Sequence, residues 1–238
     1  MMKRLLFSIV FLAASICALA QENSDRYLYW RPGVKLTFEM LDGAVPDTSF
    51  TNKLLNRNIG HVIATGLWGV LDVPDSKRGW KKLVEKPYFC AAVDRSMSYW
   101  IVKDSTELRN AQLLWDICEV SARIARRNLD DWQKEAEKAS GKGFCNGMIS
   151  LQYMTCLNDG KQFGDECAHS FIERAIIPRD EEEYKSFRNM IDQLLSELNE
   201  YATSEEEIQR FSSGKPAAGY KMAKTLRGDF KNRGEIRY

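Results

Sequence analysis

The feature that most constrains the fold of this chain is an amphipathic pattern that begins at Ser105. Large apolar side chains recur from there at helical spacing, at Leu108, Leu113, Trp115, Ile117, Val120, Ile124 and Leu129. Ser105 and Thr106 offer hydroxyl groups at the start, and Glu107 places an acid in the first turn, where the helix dipole favours it. The pattern predicts a helix over 105–138 whose far end, charged on nearly every face, lies in solvent.

The residues before this helix carry strand-like patterns. Apolar and polar side chains alternate over 34–38, and β-branched and aromatic residues are concentrated in 61–68 and 88–93. Turn residues such as Asp42 and Gly43 separate these segments. The pattern predicts a small N-terminal sheet that is mainly antiparallel.

A second long helix is predicted to begin at Asp180, because acidic residues fill its first turn. Its apolar stripe should pack on the first long helix and consists of Tyr184, Phe187, Met190, Ile191, Leu194, Leu195 and Leu198. Thr203 or Ser204 then caps a shorter helix that runs to about Phe211.

The residues between the two long helices, 148–177, match neither a helical nor a strand pattern, and Asn158-Asp159-Gly160 favours a turn among them. The fold class that follows is α+β: a small sheet packed on one long helix, with a second long helix beside it.

The two ends of the chain differ in composition from its middle. A basic start at Lys3 and Arg4, an apolar run over 5–19 and small residues before Gln21 are typical of a signal peptide cleaved after Ala20. An uncleaved anchor is the less favoured alternative, as is a lipoprotein, because bulky Ile16 precedes Cys17. The protein is therefore predicted to be exported, to the periplasm or beyond, with no transmembrane segment after cleavage.

The last 27 residues, 212–238, hold seven basic and two acidic side chains and few large aliphatic ones. This composition predicts a basic, disordered tail and leaves one domain over 21–211. Docking of the tail to an anionic envelope surface is an alternative role for the protein.

The charge balance excludes some classes of function. Lys and Arg total 34 against 33 Asp and Glu, so no nucleic-acid partner is expected. The chain has only two histidines, His61 and His169, which argues against a site built from several histidine ligands. No phosphate loop, dinucleotide fingerprint or serine-hydrolase motif occurs, so no cofactor is expected.

The mature chain would keep an odd number of cysteines, five, in a compartment that permits disulfides. Cys145, Cys156 and Cys167 are eleven residues apart in a glycine-containing region, and a disulfide is predicted among these three. A zinc site made of cysteines is the less favoured alternative, because the chain contains no Cys-x-x-Cys pair.

Three segments resemble, in order and spacing, a bacterial family of predicted secreted zinc-dependent proteases. Residues 36–43, Leu-Thr-Phe-Glu-Met-Leu-Asp-Gly, are similar to the strand and turn that open the family. Residues 98–100, Ser-Tyr-Trp, look like its Ser-Trp element. Residues 110–119, Asn-Ala-Gln-Leu-Leu-Trp-Asp-Ile-Cys-Glu, stand where the family has His-Glu-Gln-x-His-Phe-Asp-Ile-x-Glu.

The resemblance implies a zincin-like scaffold that has lost its metal. In the family, two histidines four residues apart hold Zn²⁺ and the glutamate beside the first acts as general base. Asn110, Ala111 and Leu114 replace these three groups here, and Glu119, at the place of a third ligand, remains alone. We therefore expect no metal and no zinc-protease chemistry, and we expect Glu119 to pair with Arg123 one turn further on.

The function that follows from the resemblance is a non-catalytic binding or structural role in the bacterial envelope. The former active-site groove would hold a peptide or a partner protein without cutting it. The alternative is a hydrolase with an unrecognised site, built on Cys167, His169 or carboxylates of the middle region. The partner and the oligomeric state stay open at this stage.

Overall fold

The structure, a computed structural model, describes residues 26–79, 82–140 and 148–223 and has the α+β architecture predicted from the sequence. The strands are β1 (Tyr27–Tyr29), β2 (His61–Val62), β3 (Thr65–Pro74), β4 (Lys86–Asp94), β5 (Tyr99–Trp100) and β6 (Tyr220–Met222). The α-helices are α1 (Thr48–Leu55), α2 (Ser105–Ser140), α3 (Met148–Phe171), α4 (Glu181–Glu197) and α5 (Glu205–Ser213).

The main sheet has four strands in the order β1-β4-β3-β6, and every neighbouring pair is antiparallel. The β3–β4 hairpin forms its centre, with Thr65 opposite Val93 and Asp72 opposite Lys86. The β4 side chains from Tyr88 onward are buried, which explains the continuous apolar run in the sequence. Strands β2 and β5 form a separate two-stranded ladder.

Helix α2 packs across β3 and β4 and along α3, and its apolar face forms the largest core cluster. Leu113, Trp115 and Ile117 are buried there, as their spacing predicts. Helix α4 begins at the predicted place because the Asp180 side chain accepts hydrogen bonds from the backbone N–H groups of Glu182 and Glu183. Ser204 forms a complete capping box with Glu207 at the start of α5.

Helix α5 is fixed to the sheet by a buried ion pair. Arg210 donates from Nε to Asp72 Oδ2 at 2.6 Å and from Nη2 to Asp72 Oδ1 at 2.8 Å. Both side chains are almost fully buried, so this bidentate pair holds the penultimate element of the described chain against β3.

The segment predicted as a strand over 34–38 is not a strand. Residues 34–37 belong to no helix or strand, and a short 3₁₀ turn covers Phe38–Met40. The backbone N–H of Leu36 instead donates to the Gln112 side chain on α2 at 2.8 Å. A side-chain acceptor therefore replaces the partner strand that the alternation pattern suggested.

The turn predicted at Asn158-Asp159-Gly160 is also wrong, because these residues lie inside α3. The glycine is used for close packing of two helices. A Cβ at Gly160 would lie 2.5 Å from the carbonyl oxygen of Ser121 on α2, so only glycine lets the two backbones approach this far.

The region predicted as a disordered tail is ordered in its first part. Helix α5 extends to Ser213 and is ended by Gly214 in the left-handed conformation, with φ of 65°. Tyr220–Met222 then form β6, which pairs with residues 72–74 of β3. The prediction of disorder is thus corrected for 212–223, whereas residues 224–238 and the predicted signal peptide, 1–20, lie outside the described residues.

The predicted disulfide does not form between Cys156 and Cys167. Both are buried free thiols on the single helix α3, as are Cys90 and Cys118 elsewhere in the core. Eleven residues of α-helix separate two side chains by about 16 Å, too far for an S–S bond. Cys145 lies outside the described residues.

Candidate functional site

Two of the positions where the resemblance places zinc-binding chemistry belong to the hydrophobic core. Ala111 is fully buried and Leu114 is 2% exposed, and both are part of the cluster beneath the sheet. Neither side chain has a lone pair to offer a metal. Across the described ranges, no group of three or more His, Cys, Asp or Glu side chains is arranged to hold a metal ion.

Glu119, the third position, is occupied by protein partners, as expected from the sequence. Its Oε1 accepts from Arg123 Nε at 2.9 Å and from the backbone N–H of Thr203 at 2.9 Å. Its Oε2 accepts from the Thr203 hydroxyl at 2.6 Å. Glu119 therefore ties α2 to the segment before α5, a long-range contact that the sequence alone did not indicate.

Two other motif residues also serve the fold. Asp116 Oδ1 accepts from Trp30 Nε1 and from Gln112 Nε2, both at 2.9 Å, and its Oδ2 accepts from Arg188 at 2.6 Å. Gln112 in turn receives the Leu36 N–H described above. These residues connect α2, α4 and the N-terminal segment.

Asn110 behaves differently from Ala111 and Leu114, because it lines a cleft of about 210 Å³ between the start of α2 and the start of α4. We name this feature the α2–α4 cleft; its lining residues are Asn58, Asp104, Thr106, Glu107, Arg109, Asn110, Ala175, Ile176, Arg179, Asp180, Glu181 and Tyr184. Asn110 is only 6% exposed, and its side chain makes no hydrogen bond within the described ranges. Of the four positions where the resemblance places the former metal site, only Asn110 lines this cleft.

A buried carboxylate–imidazole pair adjoins the same cleft. Glu107 Oε2 accepts from the backbone N–H of Gly60 at 3.1 Å and lies 2.6 Å from His61 Nδ1. Glu107 is 3% exposed and lines the cleft, whereas its Oε1 makes no hydrogen bond in the part of the chain that the structure describes. One oxygen is thus held by the protein and the other is available.

The helix starts around the cleft are built from polar side chains. Asp104 Oδ1 accepts from the Glu107 backbone N–H at 2.8 Å and so caps α2, and Asp180 caps α4. Arg109 pairs with Glu181 and lies over the Tyr184 ring, with its guanidinium carbon 4.2 Å from the ring centre. The hydrogen bond from Arg109 lowers the pKa of Glu181.

The cysteine–histidine pair considered from the sequence does not form a site. Cys167 is buried and His169 is exposed on the same helix, two residues apart and therefore on different faces. Burial raises the pKa of the Cys167 thiol to about 11, which keeps it protonated near neutral pH.

Sequence reasoning did not identify Glu107 or His61 as site residues. Glu107 was placed in the first turn of α2, where an acid is expected for the helix dipole. The two residues are 46 positions apart, and nothing in their local patterns shows that β2 runs past the start of α2. The adjacent Gly60 was a weak signal, because a Cβ there would lie 2.6 Å from Glu107 Cδ.

Comparison with known proteins gave no match of any kind: no protein-family model, no curated protein and no solved structure matches this chain. In the described ranges, no helix has the length and apolar character needed to cross a membrane.

Proposed function

We propose that the protein is an exported, non-catalytic binding protein of the bacterial envelope, built on a degenerate metalloprotease-like frame. The signal-peptide pattern of residues 1–20 supports export. The motif on α2 supports the frame, since its retained residues Gln112, Asp116 and Glu119 all make structural contacts while its metal-binding residues are replaced.

The observation that carries the proposal is the contrast between neighbouring motif positions. Ala111 and Leu114 are sealed in the core, and Glu119 is saturated by Arg123 and Thr203. A zinc site would need three donors at these places, and the residues present do not fit one. Asn110 alone reaches the α2–α4 cleft with an unused amide.

The cleft supports binding because buried polar groups without partners are costly unless a ligand or water satisfies them. Asn110 and Glu107 Oε1 present polar atoms to the cleft that have no hydrogen-bond partner among the described residues. A ligand that supplies matching hydrogen-bonding groups would therefore gain binding free energy in the cleft.

The first test is metal content and proteolytic activity of the purified mature protein. We expect zinc far below one equivalent, and no peptide-bond cleavage that is sensitive to a chelator. Stoichiometric zinc or chelator-sensitive cleavage would overturn the proposal.

Cell fractionation with amino-terminal sequencing tests export, and we expect an exported chain that begins at Gln21.

A second candidate, a carboxylate-based hydrolase, is favoured by one observation, the Glu107–His61 pair beside the cleft. A histidine-held carboxylate could act as a general base on a bound water. Hydrolysis of an ester or amide library by the wild-type protein that is lost in Glu107→Gln would select this candidate. A binding protein would show no turnover in either form.

A further inference from the structure

We propose that the α2–α4 cleft binds a primary ammonium group carried by a peptide or protein, with Glu107 as its charged partner and Asn110 as a second acceptor. This inference rests on the proposed binding function and names the chemistry that the cleft would recognise. It follows from how the wall of the cleft distributes charge and hydrogen-bonding capacity.

Glu107 provides the charge. His61 and the Gly60 N–H both contact its Oε2, which orients the carboxylate and leaves Oε1 without a hydrogen bond in the described residues. No Lys or Arg side chain is paired with Glu107 there. A carboxylate that is 97% buried gains most from a cationic ligand, because water screens it least.

Asn110 is an independent indication of a ligand. It follows Glu107 by three residues on α2, so both side chains lie on the same face of the helix. Its amide is nine-tenths buried, lines the cleft and has no partner among the described residues. The amide oxygen can accept from a donor that also reaches Glu107 Oε1.

The remaining charges around the cleft favour a cation over an anion. The charge of Arg109 is compensated by Glu181, although the Arg109 Nε–H has no hydrogen-bond partner among the described residues. Asp104 and Asp180 each use Oδ1 to cap a helix and keep a second oxygen. Arg179 has no ion pair in the described ranges, but it is exposed at the rim, where solvent screens its charge.

The number and placement of acceptors select an ammonium group. A guanidinium group prefers both oxygens of one carboxylate, and Glu107 offers only one. A divalent cation needs more oxygen ligands than this wall provides, and no such cluster occurs in the described part. An ammonium group has three donors that bind separate oxygens. A space of about 210 Å³ suits one side chain or a chain terminus rather than a cofactor.

The test measures binding of three blocked or unblocked tripeptide amides to the mature protein by calorimetry and NMR. N-acetyl-Ala-Lys-Ala carries only a side-chain ammonium, Ala-Ala-Ala carries only a terminal one, and N-acetyl-Ala-norleucine-Ala carries none. We expect binding of at least one of the first two, which identifies the source of the ammonium group, and no binding of the third.

Glu107→Gln is the main variant, because glutamine keeps an oxygen for His61 and Gly60 but removes the charge. We expect about a tenfold or greater loss of affinity, the usual effect of losing one charged hydrogen bond. Asn110→Leu should weaken binding less. Glu135→Gln is the matched control on the same helix, since Glu135 is exposed and far along α2, and it should bind like the wild type.

The outcomes separate this inference from the proposed function. Equal binding of the norleucine peptide, or unchanged affinity in Glu107→Gln with a wild-type thermal unfolding profile, overturns the ammonium site while leaving a binding role. Absence of binding by all three peptides in a protein free of zinc also overturns the ammonium site. Stoichiometric zinc overturns the proposed function itself.

Discussion

At the scale of single residues, the buried charged side chains of α2 act mainly as connectors inside the protein. Glu119 is bound by Arg123 and Thr203, and Asp116 is bound by Trp30 and Arg188. A carboxylate buried with its partners is chemically inert. Removing one partner strongly lowers the free energy of unfolding, because the remaining charge is then buried without compensation. Glu107 differs because its Oε1 makes no hydrogen bond among the described residues.

Glu119→Ala should therefore lower the free energy of unfolding strongly. The buried Arg123 guanidinium would lose its carboxylate, and the Thr203 hydroxyl and N–H would lose their acceptor. We expect a loss of about 3–5 kcal/mol in urea denaturation. Glu135→Ala on the exposed face of the same helix should change stability by less than about 0.5 kcal/mol. A loss at Glu119 no larger than that control would contradict the buried network.

Gly60→Ala should disturb the wall of the α2–α4 cleft. The new Cβ would lie 2.6 Å from Glu107 Cδ, so the carboxylate must leave His61 or the backbone must move. We expect a destabilisation of about 1–3 kcal/mol, typical of overpacking. The resonance of the proton between His61 Nδ1 and Glu107 Oε2 should shift to higher field in NMR spectra as this short contact lengthens. An unchanged resonance would show that Glu107 is not held as described.

At the scale of elements, the contact between α2 and α3 is set by small residues. Gly160 faces the Ser121 carbonyl oxygen and Gly164 faces the Ser121 hydroxyl. The absence of side chains at both glycines lets the two long helices approach closely at Ser121. The apolar face of α2 is therefore shared between the sheet on one side and α3 on the other.

Gly160→Ala should destabilise the protein by about 1–3 kcal/mol, although alanine favours a helix by about 1 kcal/mol over glycine. The clash is with backbone, which cannot move aside. Gly164→Ala meets mainly the Ser121 Oγ atom, 2.4 Å from the new Cβ, so the further change Ser121→Ala should restore stability there. The same second change should not rescue Gly160→Ala. Chemical denaturation of the four variants checks both statements.

At the scale of the whole molecule, the described thiols are all enclosed by the fold. Cys90, Cys118, Cys156 and Cys167 are buried free thiols that form no disulfide. Desolvation raises the pKa of Cys156 and of Cys167 to about 11 and that of Cys90 well above its usual value. Burial and a raised pKa protect these thiols from oxidation and alkylation, because the thiolate is the reactive form.

Native protein at pH 8 should accordingly react with iodoacetamide slowly at these four positions, and rapidly once unfolded, as measured by peptide mass spectrometry.

The free energy of unfolding should also depend on pH. An unfolded thiol ionises near pH 8.5 and a folded one only near 11, so the free energy of unfolding should fall as pH rises through this interval. Cys156→Ala with Cys167→Ala should make the fall shallower. Equal slopes would contradict the raised pKa values.

The sequence alone was enough to predict those helices that have a strong local signal. The apolar spacing of α2, the acidic start of α4 and the Ser204 cap of α5 all placed helices within a few residues. It was not enough to predict the structure where long-range contacts determine the backbone conformation. Residues 34–38 alternate between apolar and polar side chains like a strand, but the backbone N–H of Leu36 donates to the Gln112 side chain. Gly160 indicated a turn, although it allows two helices to pack closely. Of the residues that line the α2–α4 cleft, only Asn110 was among the predicted site positions, because Glu107 and His61 meet through tertiary structure.

The buried pair of Asp72 and Arg210 has a consequence for the order of events during biosynthesis. The two residues are 138 positions apart, and the arginine lies near the end of the described chain. Until the ribosome has released almost the whole polypeptide, the aspartate on β3 has no counter-charge and the central hairpin cannot close over it without a large desolvation cost. The chain is thereby kept from completing its native state early, which would suit the export proposed above, because a translocation channel passes an unfolded chain.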